Sequence, residues 1–326
     1  MKKTINTLLF CFLAMAPIIS YSAPEIYLFL GGNSAESSWK ELNNKNINGA
    51  QIIYRWRKLE PKKGHYNFEA IEQDLKFLSK YNKKLFIQIQ DRTFSPKAIP
   101  VPKYLLTEEY DGGIVRQYSR SNGKEIGEGW VAKQWNPKVR ERFQALLIAL
   151  GKNFDGIITG INLPETAIDI SQKLINPKFC GTYFLATLEN MSVLKKAFNK
   201  SFAVQYVNFF PCNWNNDQGY MSRLFSFAIE KKIGLGNPDT VPFRKGQMEN
   251  SYPFFNKNKD LLSITSFAVQ EPDYNYINPK TKKKFTIAEL YDFLSQYIMA
   301  DIIFWNTQQP EFSEKVLPFL NNRASQ

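Results

Sequence analysis

Short apolar runs with few charges recur along the chain and alternate with amphipathic stretches. The runs cover Glu25 to Gly31, Ala50 to Trp56, Lys84 to Gln90, Asp155 to Leu163, Phe202 to Phe209, Ile233 to Gly236, Leu262 to Gln270 and Asp301 to Trp305. Rich in β-branched and aromatic residues, they read as strands buried on both faces. Between them apolar residues recur every three or four positions: Phe68, Ile71, Leu75 and Leu78; Val139, Phe143, Leu146 and Leu150; Leu185, Leu188, Met191, Leu194 and Phe198. Eight strand–helix alternations predict an α/β chain folded as a single (β/α)8 TIM barrel. Gly234, Gly236 and Pro238 dilute the sixth run. A doubly wound open sheet is the alternative, but no G-x-G-x-x-G follows the first run, only Gly31-Gly32.

The first 22 residues follow a different rule. Lys2 and Lys3 precede an apolar stretch from Leu8 to Ile19, and Ser20-Tyr21-Ser22 puts small residues at the −3 and −1 positions. This is the pattern of a signal peptide cut after Ser22, and it predicts a periplasmic or secreted protein. Cys11 lies within the apolar stretch, so no lipid anchor is read there. No later segment reaches the roughly 20 apolar residues of a membrane span, so no membrane insertion is expected after cleavage. Removing 22 residues from 326 leaves 304, residues 23–326, which suits one large barrel with no linker to divide it. A monomer is expected.

Charge narrows the partners. The formal charge of +12 falls to +10 without Lys2 and Lys3, and the lysines are scattered apart from Lys282-Lys283-Lys284. That surface suits solubility or weak attraction to anionic polymers and envelopes. Nucleic acid is a poor partner for an exported chain without a basic aromatic motif. Aromatic residues make up 15% of the chain, many of them in loops, which suits stacking on sugar faces.

In a barrel the chemistry gathers where the strands end. Those positions hold Arg55 and Trp56, Asp91 and Arg92, Asn162 and Glu165, Asn208, Asp239, Glu271, and Trp305 with Asn306. Carboxylates, amides, arginines and indoles together suit a hydroxyl-rich ligand, so a carbohydrate is the expected partner. His65 is the only histidine and sits in a Pro/Gly turn, which argues against a zinc site. A G-x-S-x-G elbow is missing, and no cofactor is expected. The long segment from Thr93 to Asn136 reads as a lid or cleft wall.

Trp56-Arg57-Lys58-Leu59-Glu60-Pro61-Lys62-Lys63-Gly64-His65-Tyr66-Asn67-Phe68 follows the second run. It resembles the W-x-x-L-E-P-x-x-G-x-Y-x-F stretch of retaining (β/α)8 glycoside hydrolases, nearest to the β-galactosidase-like family 42. Physically it is a strand exit, a Pro/Gly turn and Asn67 as an N-cap, so Glu60 is read as a loop anchor. The resemblance implies an acid/base glutamate after strand four and a nucleophile after strand seven, at Glu165 and Glu271. It also implies that Arg55 supports the nucleophile and that Trp305 floors the sugar site. Two departures stand out: Pro164 replaces the usual asparagine before the acid/base residue, and Glu271 lies in Gln270-Glu271-Pro272-Asp273. Asp239 and Asp273 therefore remain alternatives for the second carboxyl.

These residues predict a β-glycosidase acting by a two-carboxylate retaining mechanism, in which the carboxyls lie about 5–5.5 Å apart. The alternatives are an inactive carbohydrate-binding barrel, or a host or envelope interaction protein. Cys180 and Cys212 fall in the loops after strands four and five, neighbours on one face of a barrel. They are read as a disulfide, with two buried thiols as the alternative.

Overall fold

The computed structural model describes residues 23–121 and 124–323; the leader predicted over 1–22 lies outside them. Eight strands close into a barrel: β1 (Glu25–Phe29), β2 (Gly49–Arg55), β3 (Lys84–Gln90), β4 (Gly160–Leu163), β5 (Phe202–Tyr206), β6 (Gly234–Asn237), β7 (Thr265–Val269) and β8 (Ile302–Asn306). Each pairs in parallel with its sequence neighbours, and β1 closes the ring on β8, Glu25 opposite Ile302 and Phe29 opposite Asn306. The (β/α)8 reading holds.

The fourth strand is shorter than the apolar run predicts. Residues 155–159 form a turn instead, with Gly156 at φ +80 and the Asp155 side chain accepting the backbone N–H groups of Lys200 and Ser201 at 3.0 and 2.9 Å. These bonds tie the turn to the residues that lead into β5.

Strand periodicity divides the apolar residues into two clusters. One lies inside the barrel and contains Tyr27, Phe29, Phe86, Val204, Tyr206, Ile264, Ala268, Ile302 and Phe304. The larger cluster lies between strands and helices and includes Leu28, Ile87, Val269, Ile303 and Trp305. Small residues make room for the large interior rings: a Cβ at Gly160 would come within 2.5 Å of the Phe86 ring. Gln51 fills the polar centre, donating to Asn162 Oδ1 at 2.8 Å and to the Tyr206 hydroxyl at 2.7 Å.

Helices cover the outside. Pro137–Phe154 and Pro177–Ala197 both begin with an Asn-Pro pair, in which the asparagine side chain accepts the backbone N–H of Lys138 and of Phe179, respectively. An N-capping asparagine followed by proline at the first helical position is a strong start signal. In the second of these helices Leu185 is 53% exposed, whereas the buried face runs through Tyr183, Phe184, Thr187, Met191 and Leu194. The predicted stripe was thus rotated at its start.

The long segment after β3 is ordered as an antiparallel sheet of Arg92–Thr93, Ile114–Ser121 and Lys124–Ala132. It docks on the loop after β4 through the Tyr118 N–H, which donates to the Asp169 carbonyl at 2.7 Å. Cys180 and Cys212 form a disulfide with Cα atoms 6.2 Å apart, tying the helix after β4 to the loop after β5.

Candidate active site

Glu165 stands two residues beyond β4 and lines a pocket of about 480 Å³ at the C-terminal mouth of the barrel. Across it lie Asp239 and Pro238 from the end of β6, and Gln270 and Pro272 from the end of β7. Gln88, Gln90 and Arg92 complete the polar wall, and Phe94, 63% exposed, stands on the rim. The side-chain carbonyls of Gln88 and Gln90 are buried without a protein hydrogen-bond partner among the described residues. A ligand with several hydroxyl groups would supply the missing donors.

Four side chains and burial set the state of Glu165. Asn208, just beyond β5, donates its amide to one carboxylate oxygen. The Asn208 carbonyl in turn accepts the Ala167 N–H at 3.0 Å, which fixes the amide's orientation. Arg92 is buried; it donates to Asp91 at 3.1 Å and to the Ala167 carbonyl at 2.7 Å. Burial works against its charge, but Asp91, Tyr183 and Glu165 more than offset that and hold its pKa above the ordinary value. For Glu165, burial raises the carboxyl most and Asp239 and Asp169 add to it, while Arg92 and Asn208 oppose; the result is a pKa of about 7.

Asp239 is half-buried and stands near the buried Asp273. Burial pushes Asp239 up against the pull of Arg244, and it pushes Asp273 further, with the charge of Asp239 adding to the effect. Asp273 accepts the N–H groups of Thr240 and Gln270 at 2.8 and 2.7 Å, so it ties the exits of β6 and β7 together. Burial and like charge together resist the joint ionisation of Asp239 and Asp273.

Several predicted site residues lie elsewhere. Glu271 is exposed and absent from the pocket wall, because the chain turns at Gln270 into a 3-10 helix over Glu271–Asn275. The inward positions of β7 continue through Ala268 to Gln270, so the residue meeting the pocket is an amide. Trp305 is fully buried on the outer face of β8, its ring parallel to Tyr274 with centroids 6.5 Å apart, and it does not line the Glu165 pocket. Strand alternation assigns both outcomes. Trp56 is likewise fully buried, donates to Glu60 at 2.9 Å and packs on Phe143. Arg55 is exposed and lines a neighbouring groove instead of the Glu165 pocket.

Asp91 and Asn162 act from behind. Asp91 accepts Arg92 and, at 2.9 Å, Gln134, beside a cavity of about 30 Å³ that also borders Glu165. Asn162 sits below the pocket and accepts Gln51. Sequence reasoning passed over Gln270, Phe94 and Asp273 as a tie. Strand parity could have found Gln270, and the helix-start pattern of Pro272 with Asp273 could have found the tie.

No protein-family model matches the chain, and no curated protein matches it in sequence. Solved structures do. The β-galactosidase from the psychrophilic Marinomonas ef1 is 9% identical over 90% of this chain and 55% of its own, with a TM-score of 0.55. Endo-glycoceramidase II from Rhodococcus sp., as a lactosyl-enzyme intermediate, is 11% identical over 89% and 74%, with a TM-score of 0.51. The β-galactosidase from Rahnella sp. R3 is 13% identical over 88% and 51%, with a TM-score of 0.51. This chain therefore spans about half the length of those galactosidases. At such identities the likeness establishes the barrel fold, which this chain shares with these glycoside hydrolases.

Proposed function

We propose that the protein is an exported glycoside hydrolase that cleaves a β-glycosidic bond with two carboxyl groups, Glu165 and Asp239. The observation that carries this reading is that both groups line one pocket whose wall also holds the unpartnered carbonyls of Gln88 and Gln90. With a pKa of about 7, Glu165 keeps a proton near neutrality and gives it to the leaving oxygen. The Asp239 carboxylate attacks the anomeric carbon and forms a glycosyl ester as the leaving oxygen departs with the Glu165 proton. Glu165, now a carboxylate, takes a proton from water as the water oxygen attacks the anomeric carbon; the bond from that carbon to Asp239 breaks and the carboxylate leaves, with net retention. The lactosyl-enzyme intermediate of the Rhodococcus endo-glycoceramidase, a protein of the same fold, supports the covalent step. Phe94 at the rim is suited to stack on a sugar face.

Turnover of a panel of p-nitrophenyl β-glycosides by wild type, Glu165→Gln and Asp239→Asn tests the reading. Loss in both variants, with proton NMR detecting the β-anomer first, is the expected result; an α-anomer first would replace the covalent step with direct attack by water. Export rests on the leader pattern and is supported by the disulfide. N-terminal sequencing of the protein recovered from the periplasm or the medium should begin at Ala23.

That Gln270 meets the pocket at the end of β7, and not Glu271, favours one other reading, a barrel that binds carbohydrate without cleaving it. Binding of a glycan by wild type and Asp239→Asn alike, with turnover by neither, would select it.

A further inference from the structure

The motif after β2 has a property that its structural role does not require. Four of the positions that the pattern leaves open hold cations: Arg57, Lys58, Lys62 and Lys63; Arg55 stands just before it. Glu60, the acid among them, is fully buried and spent on Trp56, the Gly64 N–H and Arg142. Arg57 turns back to the Val101 carbonyl and Lys63 pairs with Glu109 at 3.4 Å. The Arg55 and Lys58 side chains are exposed and make no hydrogen bond or ion pair with any described residue.

Both line a groove of about 490 Å³ between the loop after β1 and the helix Glu69–Ser79. Ile53 lines both this groove and the Glu165 pocket, so the two adjoin across it. Asn33, Ser34 and Asn67 add neutral polar groups to the wall. Two carboxyls also border it. Asp74 is engaged by the Ala35 N–H and the Tyr54 hydroxyl, each at 2.7 Å, and burial favours its neutral form. Glu69 accepts the Gln73 amide at 3.0 Å. Of the cations, Arg55 and Lys58 line the groove and are uncommitted.

We propose that this groove extends the sugar cleft and binds an anionic substituent of the glycan, a carboxylate or a sulfate ester, through Arg55 and Lys58. A guanidinium presents a planar pair of donors to either oxyanion, and the lysine adds a point charge. The proposal rests on the carbohydrate reading of the adjacent pocket, but it concerns binding and is tested without turnover. The substrate class is thereby an acidic saccharide rather than a neutral one.

The test is calorimetric binding of oligogalacturonate, chondroitin sulfate oligosaccharides and neutral galacto-oligosaccharides to the Glu165→Gln protein, in low and moderate salt. Arg55→Ala/Lys58→Ala in that background is the test variant, and Lys195→Ala/Lys196→Ala is the control for net charge. One anionic series should bind at least tenfold more tightly than the neutral one, weaken with salt, and lose about tenfold per cation removed. The control should stay within about twofold. Preference for the galacturonate assigns a carboxylate, and preference for the chondroitin series assigns a sulfate ester. Equal binding of neutral and anionic chains, or equal loss in test and control variants, overturns the proposal. If anionic binding is lost in the test variant while Glu165→Gln retains full turnover, the groove stands and the catalytic assignment falls.

Discussion

The exits of β4 and β7 look alike in sequence: each is an apolar run that ends in a glutamate. They fold in opposite ways. After β4 the chain continues through Pro164 without a helical turn, and Asn208 from the next strand exit captures the Glu165 carboxylate. After β7 the chain turns at once into the 3-10 helix Glu271–Asn275, which carries Glu271 to the surface and draws Asp273 inside. The lesson is that the residue two past a barrel strand is placed by the turn chemistry that follows it. Burial then finishes the difference, raising Glu165 to about 7 while Glu271 stays in water.

Substitutions should widen this contrast. Glu165→Gln and Asp239→Asn should each lower kcat/KM on a responsive aryl β-glycoside by about 10²–10⁴-fold. Glu271→Gln should change it less than twofold. A loss in Glu271→Gln comparable with that in Glu165→Gln would return the nucleophile to the β7 exit.

Stability should separate the motif glutamate from the pocket glutamate. Glu60→Ala leaves the Trp56, Gly64 and Arg142 donors without their acceptor and should cost about 3–5 kcal/mol in urea unfolding. Glu165→Gln should act in the other direction, and only at high pH. A carboxyl raised from 4.5 to about 7 favours the fold below pH 4.5, and that contribution is lost as pH rises through 7. The glutamine variant should therefore exceed wild type by up to about 3 kcal/mol at pH 8 and match it near pH 4. A constant difference across that range would mean that Glu165 is not the titrating group.

Smaller effects should follow the neighbours of Glu165. The basic limb of activity should fall as pH rises through about 7, because the donor then lacks its proton. Asn208→Ala removes a bond to the charged form and should move that limb upward. Asp239→Asn removes a like charge and should move the residual activity's limb downward. Limbs that do not move in either variant would detach the proton donor from this pocket.

Much of the fold was legible, because parallel strands buried on both faces leave continuous apolar runs. The boundaries failed where a turn takes the place of the strand, as residues 155–159 do before β4. Within the site, Glu165, Asp239 and Asn208 were legible as strand-end residues. Trp305, Trp56 and Glu271 were misplaced because a position near a strand end does not by itself give the face. Trp305 lies one residue out of phase with inward-facing Phe304, and Pro272 with Asp273 marks a helix start. Arg92 is legible as a strand-end residue beside Asp91, but its reach to the loop behind Glu165 depends on the fold, since the carbonyl it bonds belongs to Ala167.

The most direct test is a ¹³C NMR titration of the glutamate side-chain carboxyls, with the Glu165 signal assigned by its loss in Glu165→Gln. It needs no substrate. A midpoint near 7 that falls in Asp239→Asn is the result expected of a buried proton donor facing a second carboxyl. A midpoint near 4.5, unmoved by Asp239→Asn, would contradict it.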